Sequence, residues 1–157
     1  MSAPIFDLLQ QEFSQGGGRV AVSHGVLVHE IEPGQLLATV ERLKSTHGFD
    51  MFLDVTAVDW PDQALRFEVV HHFYSTTHKV RVCLKTRVPE AAPNVPTLRP
   101  LYGSAGYMER ECHDMYGIRF DGNDDLRPIL LYEGFEGHPL RKDYPKQFEQ
   151  PLVPYRF

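Results

Sequence analysis

Hydrophobic residues recur every three or four positions in three parts of the chain, which is the spacing of an amphipathic helix. Ile5, Leu8, Leu9 and Phe13 show it first, and three glycines end the pattern. Three helices are predicted: residues 4–14, the segment between Pro33 and Gly48, and residues 105–116, with Ser104 as N-cap and Gly117 as C-terminal stop.

Alternation of apolar and polar residues indicates strands between these helices. The break at His24-Gly25 predicts a short hairpin, and two consecutive alternating stretches around Thr76 predict a longer one. Prolines between residues 91 and 100 exclude a helix or a central strand there, so a connecting loop is expected. The predicted strands are residues 20–22, 26–28, 49–60, 66–74 and 79–88.

The two faces of the longer hairpin predict its register, because a slip by one residue would move charged side chains into the core. With the turn centred on Thr76 and Thr77, the expected pairs are Phe73 with Val80, Val69 with Leu84, Phe67 with Thr86 and, on the opposite face, Glu68 with Lys85. His71 shares the apolar face and His72 points away from it, so the two cannot bind one metal ion without distortion. A hydrogen-bonded core histidine is therefore favoured over a metal ligand at His71.

Helices before and after a mainly antiparallel meander favour an α+β fold over a doubly wound sheet. We expect a two-layer domain over residues 1–120, with a mainly antiparallel sheet and flanking helices. The periodicity fades after Asp121, and five prolines interrupt the remaining residues. Residues 121–157 are therefore expected to form an extended segment that docks on a partner, and its apolar end, residues 147–157, is expected to bind a neighbour.

Composition narrows the class of protein. Hydrophobic residues make up 42% of the chain and charged residues 24%, which is typical of a soluble globular domain, and a net charge of −5 argues against nucleic-acid binding. No apolar run is long enough to span a membrane, and residues 1–13 lack a basic leader. Cys83 and Cys112 predict a reduced, intracellular chain with too few thiolates for an iron-sulfur cluster. Gly16, Gly18 and Ala21 fit G-x-G-x-x-A, but they follow a helix, so no dinucleotide site is expected.

Residues 109–114 hold the densest group of ionisable side chains, on a helix whose buried side is expected to comprise Met108, Cys112 and Met115. A general acid/base pair is conceivable here, and a metal-dependent hydrolase that uses Glu109, Glu111 and His113 remains an alternative. A surface cluster that forms ion pairs with basic groups of another chain explains the same residues with fewer assumptions. On the last predicted strand, Lys79, Arg81, Lys85 and Arg87 form either a solvated face or a patch that orients an acidic partner.

The segment 131–145 combines glycines, which allow unusual backbone angles, with prolines, which keep the preceding residues extended. Its apolar side chains are candidate anchors for a partner, and its charged side chains would form a polar rim. The anchors are Phe135, Leu140 and Tyr144, and the rim residues are Arg141, Lys142 and Asp143. The alternative is that the segment packs back on its own domain.

Two motifs in this order resemble those of one family. The first is Glu109-Arg110-Glu111-Cys112-His113-Asp114, which fits E-R-E-x-x-[DE] and is followed by two bulky apolar residues. The second is the stretch G-F-E-G-H-P-L-R-K-D-Y-P from Gly134 to Pro145. The chain resembles the family of the C subunit, or thirty-kilodalton subunit, of respiratory complex I, the proton-pumping NADH:quinone oxidoreductase. Asn123 and His113 depart from the pattern of that family.

The resemblance implies a peripheral, hydrophilic subunit that has no redox centre of its own and supports electron transfer from NADH to quinone. Flavin, iron-sulfur clusters and quinone would be bound by partner subunits, chiefly the one that forms the quinone pocket. The complex would lie at the cytoplasmic side of the inner (plasma) membrane, and the isolated chain would have no activity. An equivalent subunit of a membrane-bound hydrogenase or of a ferredoxin-linked complex is a further alternative. The expected partner-binding residues are Glu109, Arg110, Glu111, Asp114, Gly134, Phe135, Gly137, His138, Pro139, Arg141, Lys142, Asp143 and Tyr144.

Overall fold

The computed structural model describes residues 4–150, so residues 151–157 of the predicted docking tail lie outside the described part. A single 3-10 turn (Pro33–Gln35) precedes the second helix. The elements in chain order are α1 (Pro4–Gly16), β1 (Val20–Ser23), β2 (Val26–Glu30), α2 (Leu36–Ser45), β3 (Met51–Asp59), β4 (Phe67–Ser75), β5 (Val80–Val88), β6 (Asn94–Pro96), α3 (Ala105–Tyr116) and β7 (Arg119–Asp121).

The main sheet has the strand order β1-β2-β5-β4-β3. Strands β3, β4 and β5 form an antiparallel meander, and β1 and β2 form the predicted hairpin. The hairpin joins the meander through a parallel pairing of β2 with β5. The predicted α+β fold with a mainly antiparallel sheet is therefore confirmed. Residues 94–96, which were expected to be loop, pair with β7 in a small parallel sheet.

The hairpin of β4 and β5 differs from the prediction by two residues. Phe73 pairs with Val82 and Glu68 with Arg87, because the turn contains four residues rather than two. Lys79 belongs to this turn with a φ of 56°, a left-handed conformation that the sequence did not indicate. Since side chains alternate with a period of two, the shift leaves the predicted apolar and polar faces unchanged.

The apolar face of the sheet packs against α1, α2 and the segment that leads into α3. Phe52, Phe73 and Tyr102 form an aromatic group within this core, and the hydroxyl of Tyr102 donates to the carbonyl oxygen of Phe49 at 2.6 Å. His71 lies in the core as expected, but both of its ring nitrogens lack a hydrogen-bond partner. The prediction of a hydrogen-bonded histidine was wrong because its neighbours on this face are hydrophobic.

The glycine-rich turn after α1 serves the packing of β1 on β2. The backbone of Gly18 has a φ of 87°, and a Cβ at this position would collide with the carbonyl oxygen of Glu30. The adjacent Glu30 N–H donates to the carbonyl oxygen of Arg19 at 2.8 Å. A residue other than glycine cannot bring the two backbones this close, which accounts for the sequence pattern in structural terms.

Helix α3 packs against β3, the edge strand of the meander. Two of its four buried residues are carboxylates, Glu109 and Asp114, and the other two are Ala105 and Cys112. Met108 and Met115 are only half-buried. Gly117 ends the helix in the left-handed conformation, as predicted. The predicted N-cap is wrong in one respect: the Ser104 backbone is already helical, and its side chain makes no cap hydrogen bond.

After β7 the described chain contains no further helix or strand. We call residues 122–150 the ribbon. It lies along α3 and reaches the end of β3, where it makes hydrogen bonds to both elements. The division of the chain at residue 120 into a domain and a docking segment stays a prediction.

Candidate partner-binding surface

Glu109 lies on the inner side of α3 and is only 1% exposed. Its carboxylate accepts hydrogen bonds from the Thr97 hydroxyl at 2.7 Å, the Leu98 N–H at 2.8 Å and the Asn123 side-chain amide at 2.8 Å. Burial raises the pKa of Glu109, and these three donors oppose the rise. The carboxylate thus joins α3 to the loop before it and to the start of the ribbon.

The side chain of Asp114 binds the backbone of the ribbon. One carboxylate oxygen accepts from the N–H groups of Ile129 at 2.7 Å, Leu130 at 3.0 Å and Leu131 at 3.4 Å. The residue is 5% exposed. Three converging N–H groups compensate a buried carboxylate for its lost hydration, so Asp114 fixes this bend of the ribbon.

The remaining ionisable residues of α3 point in different directions. Arg110 donates through Nε to the carbonyl oxygen of Arg127 at 2.8 Å and through Nη2 to that of Pro128 at 2.7 Å. His113 donates through Nδ1 to the Ile118 carbonyl oxygen at 2.8 Å, and Glu111 is exposed.

The structure therefore differs from the expected surface cluster of acidic groups. Glu109 and Asp114 are occupied by partners within the chain, because the loop and the ribbon supply N–H donors to the inner side of α3. Glu111 is the carboxylate of this motif that faces solvent. Within residues 4–150 no group of three or more His, Cys, Asp or Glu side chains is arranged to hold a metal ion.

The second motif is anchored to the end of α3 and to β3 by four hydrogen bonds. His138 donates through Nδ1 to the carbonyl oxygen of Asp114 at 2.9 Å, and Arg141 donates through Nε to that of Tyr116 at 2.6 Å. The N–H groups of Leu140 and Lys142 donate to the Met115 carbonyl oxygen at 3.1 Å and to the Asp59 carboxylate at 2.7 Å. A Cβ at Gly117 would collide with the side chains of His138 and Arg141, so the glycine leaves them room.

A buried arginine joins this motif to the sheet. Arg66 donates to both carboxylate oxygens of Asp59 at 2.7 and 2.9 Å, and it also pairs with Glu90 at 2.7 Å and with Asp143 at 3.0 Å. We call these four residues the Arg66 cluster. Arg66 holds the pKa values of Asp59 and Asp143 below their ordinary range, and its own pKa is raised by these carboxylates. Sequence reasoning missed Asp59, Arg66 and Glu90 as site residues. The available signal was an acidic residue near the end of one predicted strand and a basic residue at the start of the next.

Arg141 lies beside the Arg66 cluster without an ion pair to it. Its guanidinium carbon is 4.9 Å from the centroid of the Phe67 ring. Burial lowers the pKa of Arg141, and the positive charge of Arg66 lowers it further. The cationic group is thus stabilised by an aromatic face and by the Tyr116 carbonyl oxygen.

The outer side of the ribbon exposes apolar side chains. Phe135 and Tyr144, two of the three predicted anchors, are half-buried and stack on each other with their ring centroids 6.1 Å apart. Leu140, the third, is 50% exposed, and Leu130 is 60% exposed. Further exposed apolar residues of the ribbon are Ile129, Tyr132 and Phe148. A segment with a tethered backbone and outward apolar side chains has the character of an interaction surface.

Apart from the half-buried Phe135 and Tyr144, the predicted site residues of the second motif fall into three sets. His138, Arg141, Lys142 and Asp143 bind the domain through the contacts above, and Gly134 and Gly137 supply φ values of 90° and 88°. Pro139 is half-buried beside them. Contact of any of these residues with a partner stays a prediction.

Fold and surface together define a small α+β domain with a tethered, outwardly apolar C-terminal segment. Residues 29–150 match the family described as the respiratory-chain NADH dehydrogenase, 30 Kd subunit, and the chain belongs to this family. The predicted family is therefore confirmed.

Similar proteins from several organisms are named as subunits of NADH-quinone oxidoreductase or NADH dehydrogenase. The chain is 41% identical over 145 residues to the NADH-quinone oxidoreductase C subunit 2 of Rhizobium meliloti, a match that covers 88% of this chain and 79% of the relative. It is 42% identical over 132 residues to the corresponding C subunit of Erythrobacter litoralis, covering 82% and 52%. The mitochondrial NADH dehydrogenase [ubiquinone] iron-sulfur protein 3 of Candida albicans is 44% identical over 117 residues, covering 73% and 42%. The chain thus spans about half the length of two of these three curated relatives.

Two solved structures share the fold. A trypsin-resistant fragment of Nqo5 superimposes with a TM-score of 0.71 and 28% identity, covering 78% of this chain and 99% of the fragment. A chain of an archaeal respiratory membrane complex, the membrane-bound sulfane sulfur reductase, superimposes with a TM-score of 0.77. That match has 23% identity and covers 96% of this chain and 98% of the other. Within residues 4–150 no helix is both long enough and apolar enough to cross a membrane.

Proposed function

We propose that this chain is a non-catalytic subunit of the peripheral arm of an NADH:quinone oxidoreductase, where it braces the assembly that carries electrons from NADH to quinone in a reaction coupled to proton translocation. Flavin, iron-sulfur clusters and quinone are bound by other subunits, and the chain packs beside the one that forms the quinone pocket. Partner subunits hold it at the cytoplasmic side of the inner (plasma) membrane. The observation that carries the proposal is the 41% identity with a C subunit of this enzyme across 79% of that relative.

The outer side of the ribbon is the docking surface in this proposal. Hydrogen bonds to Asp114 and Asp59 fix its backbone, so little conformational entropy remains to be lost when a partner binds. Leu130 and Leu140 project from it. Removal of such exposed leucine side chains from water makes the free energy of binding to a partner more favourable. The predicted site residues of the second motif then act mainly by presenting these side chains.

The test is assembly in cells that express the tagged full chain in place of its native copy. We expect the double substitution Leu130→Ser and Leu140→Ser to lower recovery of the complex several-fold, because both side chains lose their apolar contact. Thermal unfolding of the isolated variant should match that of the unsubstituted chain, since both side chains are exposed. Leu37→Ser, at an exposed position on α2, is the control.

The exposed carboxylate of the first motif is tested separately. Glu111→Gln should lower recovery of the complex without changing the unfolding midpoint, since Glu111 faces solvent. Normal recovery and normal quinone-linked turnover in this variant and in the leucine double variant would contradict the docking surface. Identification of the chains that co-purify distinguishes an NADH:quinone oxidoreductase from a membrane-bound hydrogenase or a ferredoxin-linked complex.

A further inference from the structure

A polar cavity of about 300 Å³ lies at the start of α3, beside the first residues of the ribbon. Three arginines line it, Arg99, Arg110 and Arg127, and we call it the arginine cavity. Asp125 supplies a carboxylate to its wall, and Tyr107, 66% exposed, stands at its edge. Asp124 binds Arg99 from beside the cavity, so three guanidinium groups face two carboxylates, and the local charge is positive in a chain with a net charge of −5.

Two of the three arginines of the cavity have an acidic partner within the described chain, and the third binds only carbonyl oxygens there. Arg110 binds two carbonyl oxygens and forms no ion pair within residues 4–150. Arg99 pairs with Asp124, a carboxylate that is 90% exposed, and Arg127, which is 78% exposed, donates to both carboxylate oxygens of Asp125 at 2.6 and 3.0 Å. The exposed pair of Arg99 with Asp124 contributes little stability, so an incoming anion can replace Asp124 at low cost.

The direction of α3 adds to this positive potential. Gly106, in the first turn, lines the cavity, so the positive end of the helix dipole lies against it. The side chain of Ser104 does not cap this end. The arginines and the helix therefore contribute electrostatic potential of the same sign at one place.

We propose that the arginine cavity receives an acidic segment of a neighbouring subunit, with aspartate or glutamate carboxylates bound by the arginines and Tyr107 packed against the segment. The inference rests on the proposed function, because it takes the ligand to be a protein neighbour. Guanidinium groups match carboxylates in a bidentate geometry, and tyrosine and arginine are the residues that dominate many protein interfaces. At about 30 Å³ per water molecule, the volume corresponds to roughly ten waters, which is room for one or two acidic side chains.

The first experiment measures binding to the purified full chain. Tetraglutamate is titrated and the amide resonances of α3 are followed by NMR, with tetraglutamine as the neutral control. Saturable shifts at the start of α3 with tetraglutamate alone support the proposal. The double substitution Arg99→Gln and Arg127→Gln should weaken binding about tenfold, because two of the charge pairs to the peptide are lost.

Two further variants keep the experiment decisive. Arg110→Gln tests the arginine without an ion pair, should the double variant fold poorly, and it should also weaken binding. Arg81→Gln changes an exposed arginine on β5 outside the cavity and should leave the affinity unchanged. Absence of tetraglutamate binding, or equal binding by all variants, overturns the proposal. Binding of inorganic phosphate without binding of tetraglutamate also overturns it, in favour of a site for a small phosphate-type anion.

The second experiment separates this inference from the proposed function. The same double variant and its Arg81→Gln control replace the native chain in cells, and recovery of the complex is measured. Reduced recovery of the double variant alone supports the arginine cavity as a docking site. Equal recovery of all forms overturns the cavity and leaves the proposed function intact. Failure of the unsubstituted chain to assemble with any neighbour overturns both.

Discussion

His71 shows how far a single side chain can depart from the usual pairing of buried polar groups. The residue is 1% exposed, its ring lies 6.3 Å from that of Phe52, and neither ring nitrogen has a hydrogen-bond partner. Burial lowers its pKa to about 3, and the neighbouring His72 contributes to the lowering. The imidazole is therefore neutral in the folded protein, and two desolvated polar atoms oppose folding.

Replacing His71 with leucine should stabilise the protein. The substitution keeps a side chain of similar size and removes the unpaired nitrogens, so the free energy of unfolding at neutral pH should rise by about 1 kcal/mol. Urea unfolding of the two forms measures the difference. His72→Gln, at the half-buried neighbouring position, serves as the control and should change it little. A clear loss of stability in His71→Leu would indicate that the imidazole makes a contact that its surroundings do not reveal.

The two buried carboxylates of α3 mark the limit of residue-level sequence reasoning. Helical spacing and Gly117 defined the helix correctly. The rule that apolar residues face inward, however, predicted Met108 and Met115 on the buried side instead of Glu109 and Asp114. These carboxylates are buried because distant segments bring N–H donors such as that of Leu98 to them. Nothing in the local sequence encodes those donors.

Among the elements, the ribbon depends most on side chains from elsewhere in the chain. It contains no helix or strand of its own, so its order comes from bonds such as that between the Lys142 N–H and Asp59, at the end of β3. The carboxylate of Asp59 is fully buried and also binds Arg66 twice. One side chain therefore joins β3, the residue that precedes β4 and the ribbon.

Asp59→Asn should release the ribbon and destabilise the domain. The neutral amide leaves Arg66 buried with weaker compensation, and breaking a buried pair of this kind costs about 3–5 kcal/mol. Amide hydrogen exchange at Lys142 and tryptic cleavage after Arg141 or Lys142 should both accelerate. Asp54→Asn, at an exposed position on the same strand, is the matched control. Unchanged exchange at Lys142 in a destabilised Asp59→Asn variant would show that Asp59 supports the strands and not the ribbon.

The sheet separates the features that neighbouring residues predict from those that depend on residues far apart in the sequence. Strand positions and faces follow from alternation, and the β1–β2 turn follows from His24-Gly25, both of which have positive φ values. The four-residue turn before β5 was missed because Lys79 is not a residue that signals a left-handed conformation. The parallel pairing of β2 with β5 was missed because its partners are far apart in the sequence.

For the whole molecule, the perturbed pKa values define a range of maximum stability. The pKa values of His29, His71, His72 and His138 lie below the ordinary 6.5, chiefly because of burial. Those of Asp59 and Asp143 lie below 3.8 because of Arg66. Burial raises the pKa of Cys83 from 9.0 to about 11 and that of Tyr102 from 10.0 to about 12. The pKa of Glu109 is raised, so this residue opposes the loss of stability that the other groups cause at acid pH.

Stability should therefore be highest between about pH 6.5 and pH 9. Below this range the unfolded chain takes up protons on histidine before the folded chain does, so the free energy of unfolding falls, and His71 alone contributes up to about 1.4 kcal/mol per pH unit. Above it the unfolded chain loses protons from cysteine and tyrosine first, and stability falls again. Urea midpoints measured within this range and on both sides of it test the profile. The acid decline should be shallower in His71→Leu, and an identical decline would contradict the assignment to His71.

The parallel pairing of β2 with β5 also affects the order in which parts of the protein can fold during synthesis. Strand β2 leaves the ribosome well before β5, and until β5 arrives the first hairpin has α1 against it but no third strand. Until then β2 presents an open edge to other nascent chains. Formation of β5 ends that exposure, so the first hairpin enters the sheet only after the middle of the chain has been made.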